Sequence, residues 1–159
     1  MTQLEREQFR FFLKDSIRKM IDFTQTDQYK GIPAPAIQKP YPADAHLIIL
    51  SAPSQWETIG SINLLDAISN RRSRRVYQDK KLSFEELSFL LWATQGIQHI
   101  TGPATALRTV PSAGCRHAIE TYVCALNVED LKQGIYRYLP IEHALIEVSL
   151  DKTVSSRIV

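Results

Sequence analysis

Beyond residue 111 the side-chain pattern of this chain changes period, and that change limits the fold more than any other feature. Glu120-Thr121-Tyr122-Val123-Cys124-Ala125-Leu126-Asn127 is rich in strand formers, Gly134-Ile135-Tyr136-Arg137-Tyr138-Leu139 alternates, and Ala144-Leu145-Ile146-Glu147-Val148 reads as a third strand. The connections between these runs are too short for a parallel crossover, so the strands are expected to pair antiparallel. Before the change the period is helical. Ser83-Phe84-Glu85-Glu86 is a capping box, with Leu82 and Leu87 placed as a hydrophobic staple, and the helix is predicted to run through Leu90, Leu91 and Trp92 to a stop at Gly96. Helices that precede an antiparallel sheet give an α+β fold.

The N-terminal part follows other rules. Thr2-Gln3-Leu4-Glu5 is a second capping box, and Phe9, Phe12, Leu13, Ile17, Met20 and Ile21 recur at helical spacing, which predicts an amphipathic helix over residues 3–24. Its apolar face reads as packing surface, within the subunit or against a partner. Residues 31–53 then hold five of the eight prolines, a density that prevents regular helix and favours an extended path. The organisation expected is an N-terminal helix and proline-rich arm over residues 1–56, followed by a single domain over 57–159. Leu150, Val154 and Ile158 read as the opening of a further helix.

With 159 residues, 44% hydrophobic and 23% charged, the chain has the make-up of one soluble domain. A formal charge of +2 gives no broad basic surface for nucleic acid. Cys115 and Cys124 lack the paired spacing of a zinc site and read as reduced thiols in or near the core. The longest aliphatic run, Leu47 to Leu50, falls far short of a membrane span, and the charged start lacks the form of a secretory signal. A cytoplasmic protein is the expectation.

Charge is nonetheless concentrated in one place. Arg71-Arg72-Ser73-Arg74-Arg75 follows a short helix predicted from Asn63 to Asn70, and it sets four guanidinium forks around one hydroxyl. Such forks suit phosphate. Taken alone the stretch reads as a solvated basic turn, a contact for an anionic partner, or a site for a basophilic kinase. Pro111-Ser112-Ala113-Gly114 is a turn of small residues that lets backbone N–H groups approach a flat ligand. No dinucleotide-binding glycine motif, phosphate-binding loop or nucleophile elbow occurs. His46, His99, His117 and His143 show no metal-ligand spacing, and His117, next to the small-residue turn, is the one to watch. The chain offers sites for an anion and no catalytic residue of its own, the situation expected where a cofactor carries the chemistry.

In order and spacing these pieces resemble the nitroreductase family of FMN-dependent oxidoreductases, and most closely its SagB-type dehydrogenase branch. The resemblance rests on Leu64 to Ile68 leading into Arg71–Arg75, the capped helix from Leu82 to Gly96, Arg108 to His117, Glu120 to Val123 and Gly134 to Tyr138. It covers about residues 60–150, with Tyr29 to Pro42 similar to a leader carried by some members. It implies a nitroreductase-like α+β fold, an antiparallel sheet flanked by helices. It also implies that Arg71, Arg72, Ser73 and Arg75 hold the FMN phosphate and ribityl chain. Pro111, Ser112, Ala113 and Gly114 would border the flavin ring, commonly from the other subunit of a homodimer. Cys115 stands near where many members carry asparagine. The implied chemistry is ping-pong hydride transfer through flavin N5, with NADH or NADPH as a possible donor. The acceptor would be a nitro or quinone compound, or the azoline ring of a modified peptide. Complete members continue past residue 159, so the resemblance implies an N-terminal part of such an enzyme, or a truncated relative without catalysis.

Overall fold

The computed structural model describes residues 2–57 and 59–150. The expected opening of a helix at Val154 and Ile158 lies outside them. The chain divides into two compact units, one ending at Pro35 and one beginning at Ala36, whereas the sequence places the change of organisation at residue 56.

In the first unit, helix α1 (Gln3–Phe12) opens on the predicted capping box: Glu5 N–H donates to Thr2 Oγ1 at 3.2 Å, and Thr2 N–H to Glu5 Oε2 at 2.6 Å. The helix is half as long as the periodicity predicts. It gives way to 3₁₀ turns at Asp15–Met20 and Phe23–Gln25. No described residue of this unit is buried, and Phe9 and Phe12 are both exposed. A helix without tertiary burial is marginal at such lengths, which is why apolar spacing alone does not extend it to residue 24.

The second unit is built on a four-stranded antiparallel sheet in the order β1-β6-β5-β4, formed by β1 (Leu47–Ile49), β4 (Tyr122–Ala125), β5 (Gly134–Leu139) and β6 (Ala144–Ser149). All three strands foreseen from the sequence are present and antiparallel. The remaining strand, β1, comes from the proline-rich arm, where Leu47, Ile48 and Ile49 pair with Ile146, Leu145 and Ala144. A hairpin of β2 (Ile97–Gly102) and β3 (Thr105–Arg108) forms a separate two-stranded sheet. The mixed α+β architecture, with antiparallel sheet and helices, is the one expected.

Helix α3 (Phe84–Gln95) supplies the core of one sheet face. Its capping box is formed, with Glu86 N–H donating to Ser83 Oγ at 3.1 Å and Ser83 N–H to Glu86 Oε2 at 2.8 Å. Leu87 and Leu91 join Leu50, Ala125, Tyr136, Tyr138 and Leu145 in one buried cluster, against which Leu82 packs. Full burial of each large apolar side chain there stabilises the fold by about 1.5–3 kcal/mol. Gly96 ends the helix in extended geometry, and a Cβ at this position would run into the Trp92 ring. Close packing, not a left-handed cap, is the reason for this glycine.

Period-two alternation turns Arg137 away from the face that carries Tyr136 and Tyr138. Arg137 is nevertheless buried, because residues 37–41 of the arm cross that side. Its guanidinium donates to the Pro40 carbonyl at 3.2 Å, and Gln38 and Tyr41 both bond Glu142, at 2.7 and 3.0 Å. The proline-rich segment is therefore partly an integral layer of this unit. Cys124 is exposed, which corrects its assignment to the core, while Cys115 is partly buried; both are free. Among the described residues, no helix is long and apolar enough to cross a membrane.

Candidate functional site

Helix α2 (Leu64–Asn70) forms where predicted, capped by Asn63, whose Oδ1 accepts from Leu65 N–H at 2.8 Å. The arginine stretch follows it in neither helix nor strand, and Arg71, Arg72, Ser73, Arg74 and Arg75 are all exposed. The Arg72 guanidinium turns back on the helix end and donates to the Ser69 and Arg71 carbonyls at 3.0 and 2.9 Å. Basic groups are favoured at a helix C-terminus, so this arginine satisfies carbonyls that the helix leaves unpaired. None of the four guanidiniums has a carboxylate partner among the described residues.

The second predicted element is set by the end of α3. Thr109 N–H donates to the Gly96 carbonyl at 3.0 Å and its hydroxyl to the Trp92 carbonyl at 2.8 Å, so the chain leaving β3 is tied to the helix terminus. Ser112 is extended, and a 3₁₀ turn at Ala113–Cys115 follows. Gly114 (φ 63°), Cys115 (φ 55°) and His117 (φ 43°) all lie in the left-handed region. Glycine adopts it freely, whereas Cys115 and His117 do so against steric preference. Two bonds hold the turn: Cys115 N–H to the Ser112 carbonyl at 3.2 Å, and His117 N–H to Ser112 Oγ at 2.9 Å.

Between this turn and the hairpin is a cavity of about 380 Å³. Gln98, Leu107, Arg108 and Thr109 line it from the hairpin side, and Val110, Pro111, Ser112, Cys115 and His117 close it. Its volume is within the range of small-molecule sites, roughly 300–1,000 Å³. The Arg108 guanidinium donates to Gln95 Oε1 at 3.1 Å and to the Ile37 carbonyl at 3.0 Å, and its Nε–H is buried without a partner. Burial pulls Arg108 below the ordinary guanidinium value, partly offset by the Glu120 charge; it remains cationic. Burial, and then the nearby Arg108 charge, also hold the His117 imidazole below its usual value, so near neutrality the ring is uncharged.

The predicted residues thus lie in two places. Pro111 and Ser112 line the cavity, while Ala113 and Gly114 are exposed on the outside of the turn. Arg71, Arg72, Ser73 and Arg75 form the exposed tail of α2, and no hydrogen bond or ion pair among the described residues joins them to the cavity. Arg108 was not singled out from the sequence; an arginine before a threonine and a proline carries no signal of burial. His117 does line the cavity.

The nitroreductase family model matches residues 68–157. A protein of Methanocaldococcus jannaschii described as "Putative nitroreductase" is 36% identical over 100 residues, 63% of this chain and 48% of that protein. The crystal structure of a "putative nitroreductase" from Ralstonia eutropha JMP134 is similar in fold, with a TM-score of 0.51 and 27% identity over 76% of this chain and 54% of that one. The chain spans about half the length of these relatives. With more than half of its residues matched by the family model, the chain belongs to the nitroreductase family.

Proposed function

We propose that this chain is part of an FMN-dependent oxidoreductase of the nitroreductase type, working as a homodimer with NADH or NADPH as electron donor. The observation that carries this reading is the pairing, in one chain, of four guanidiniums without carboxylate partners among the described residues and a small-residue turn that walls a cavity. The residue types present fit the cofactor. Arg71, Arg72, Ser73 and Arg75 supply forked cationic donors and a hydroxyl, the set that recognises a phosphate and a polyol chain. Pro111 and Ser112 offer an apolar edge and a hydroxyl to a flat ring, and Ala113 and Gly114 keep the turn small. When bound, FMN would supply reversible hydride-transfer chemistry at its ring.

The chain's own contribution is binding and electrostatics. The left-handed turn fixes Ser112, and Arg108 holds a positive charge at the cavity wall. Arg71–Arg75 are not among the residues that line the cavity, which suits a site shared between two copies, with the arginines of one meeting the turn of the other. The SagB-type resemblance widens the acceptor class from nitro and quinone compounds to azoline rings of modified peptides.

Titration of the protein with FMN, followed by flavin fluorescence and the visible spectrum, tests the proposal. Saturable quenching with a perturbed flavin band is expected. A flavin spectrum unchanged at every protein concentration, in this chain and in a form extended to the length of its relatives, rejects it.

A further inference from the structure

We propose that helix α1 is a surface anchor that lays Leu4, Phe9, Phe11 and Phe12 into the boundary between headgroups and acyl chains of an anionic lipid bilayer. The proposal goes beyond the cofactor reading and does not depend on it.

The apolar half of the helix has no cover. At 3.6 residues per turn, Leu4, Phe9, Phe11 and Phe12 spread over an arc of about 160°, and Arg6, Glu7 and Arg10 occupy the other side. All four apolar side chains are exposed, as is Leu13 at the C-cap, and no described residue of the first unit is buried. An arc this wide exceeds the seam that one partner helix fills, whereas fluid lipid conforms to it. Ten residues rise only about 15 Å, so the helix suits the plane of the surface and not a span.

Charge selects an anionic surface. The acids of the first turns are engaged: Glu5 Oε2 accepts from Thr2 N–H at 2.6 Å, and Glu7 Oε1 from Gln3 Nε2 at 3.3 Å. From Arg10 to Lys19 four basic residues stand against one acid, Asp15, which pairs with Arg18 at 3.1 Å. Arg10, Lys14 and Lys19 make no ion pair among the described residues, and Arg10 and Lys14 bracket Phe11, Phe12 and Leu13 in the chain. Phenylalanine and leucine on one face, with long basic side chains at its edge and end, let the rings sink while the cations reach lipid phosphates.

Flotation of the full chain with vesicles of phosphatidylcholine alone, and with vesicles in which a third of the lipid is phosphatidylglycerol, tests this. Binding to the anionic vesicles should be about tenfold tighter or more, and should weaken as salt is raised. Phe9→Ser combined with Phe12→Ser, at exposed positions, should leave the urea midpoint unchanged and cut vesicle binding about tenfold or more. Arg10→Gln combined with Lys14→Gln should weaken binding about tenfold on anionic vesicles and leave the neutral ones unaffected. No binding to anionic vesicles, or equal binding to neutral ones, overturns the proposal. Undiminished binding by the Phe9 and Phe12 double variant also overturns it, and would assign the contact to Arg71–Arg75. A dimer that this variant dissociates, in a protein that floats with no vesicle, overturns it as well, since a second copy then covers the face.

Discussion

Arginine plays three different parts in this protein, and its surroundings decide which. Arg137 and Arg108 reach backbone carbonyls of the 37–41 segment from inside the second unit, so their first role is to fix a layer of the fold. Arg72 closes the end of α2. Arg71, Arg74 and Arg75 are exposed with no carboxylate partner among the described residues. The family resemblance implies FMN contacts for Arg71 and Arg75 but none for Arg74, so Arg71→Ala and Arg75→Ala are expected to raise the FMN dissociation constant about tenfold or more, from the loss of roughly 1.5–3 kcal/mol per charge-assisted bond. Arg74→Ala should change it little, and fluorescence titration of the three variants decides. Equal losses at all three positions point to a diffuse basic patch. A second residue-scale prediction concerns His143, whose Nδ1 lies 2.8 Å from the Tyr138 hydroxyl and Nε2 3.0 Å from the Ser51 carbonyl. The carbonyl can only accept, so the neutral ring donates from Nε2 and accepts from Tyr138 at Nδ1. Burial depresses the folded imidazole below 6.5, and the hydrogen bond to Ser51 opposes this only in part. Below pH 6.5 the unfolded chain therefore binds more protons than the folded one, and stability should fall with pH through that window. His143→Asn, which tolerates the positive φ of 47°, should flatten this slope in denaturant titrations at pH 7.5 and pH 5.5. An unchanged slope would assign the acid sensitivity to other groups.

Among the elements, α3 joins the core to the site. Its N-terminal capping box and buried leucines anchor it to the sheet, and its last turn receives both bonds of Thr109. Loosening the helix start should therefore act first on stability. Ser83→Ala is expected to cost about 1 kcal/mol, the usual effect of losing an N-cap, measured by urea denaturation. A change below a few tenths of a kcal/mol would mean that burial of Leu87 and Leu91 holds the helix regardless of its cap. The capping boxes of α1 and α3 were both legible because each depends on residues three apart in the chain. The length of α1 was not legible. Apolar spacing predicted a helix to residue 24, but spacing reports which face a helix would bury, not whether anything covers it. The β2–β3 hairpin was also missed, since Ile97 to Arg108 mixes glycine, proline and polar residues with no sustained alternation.

At the scale of the molecule, the proposed shared site links cofactor binding to assembly. If FMN bridges the arginines of one copy and the turn of another, ligand binding and association must strengthen each other. We expect FMN to shift the protein toward dimer in light-scattering measurements at micromolar concentration, and Arg71→Ala to reduce that shift. FMN bound by monomer with no change in association would place the arginines and the turn of a single chain on the same cofactor.

The order of elements in the second unit was determined by the sequence alone, because period, capping and turn residues are local: α2, α3 and the strands β4, β5 and β6 occur where the pattern puts them. Membership of the nitroreductase family was legible for a similar reason, since motif order along a chain survives without coordinates. Only the tertiary structure decided that Leu47–Ile49 is an edge strand, that residues 37–41 form a layer over Arg137, and that the Arg108 guanidinium reaches the Ile37 carbonyl. Each of these joins residues scores of positions apart. Their partners are chosen by which buried donors and apolar faces still lack company once the local elements have formed, and no local pattern carries that information.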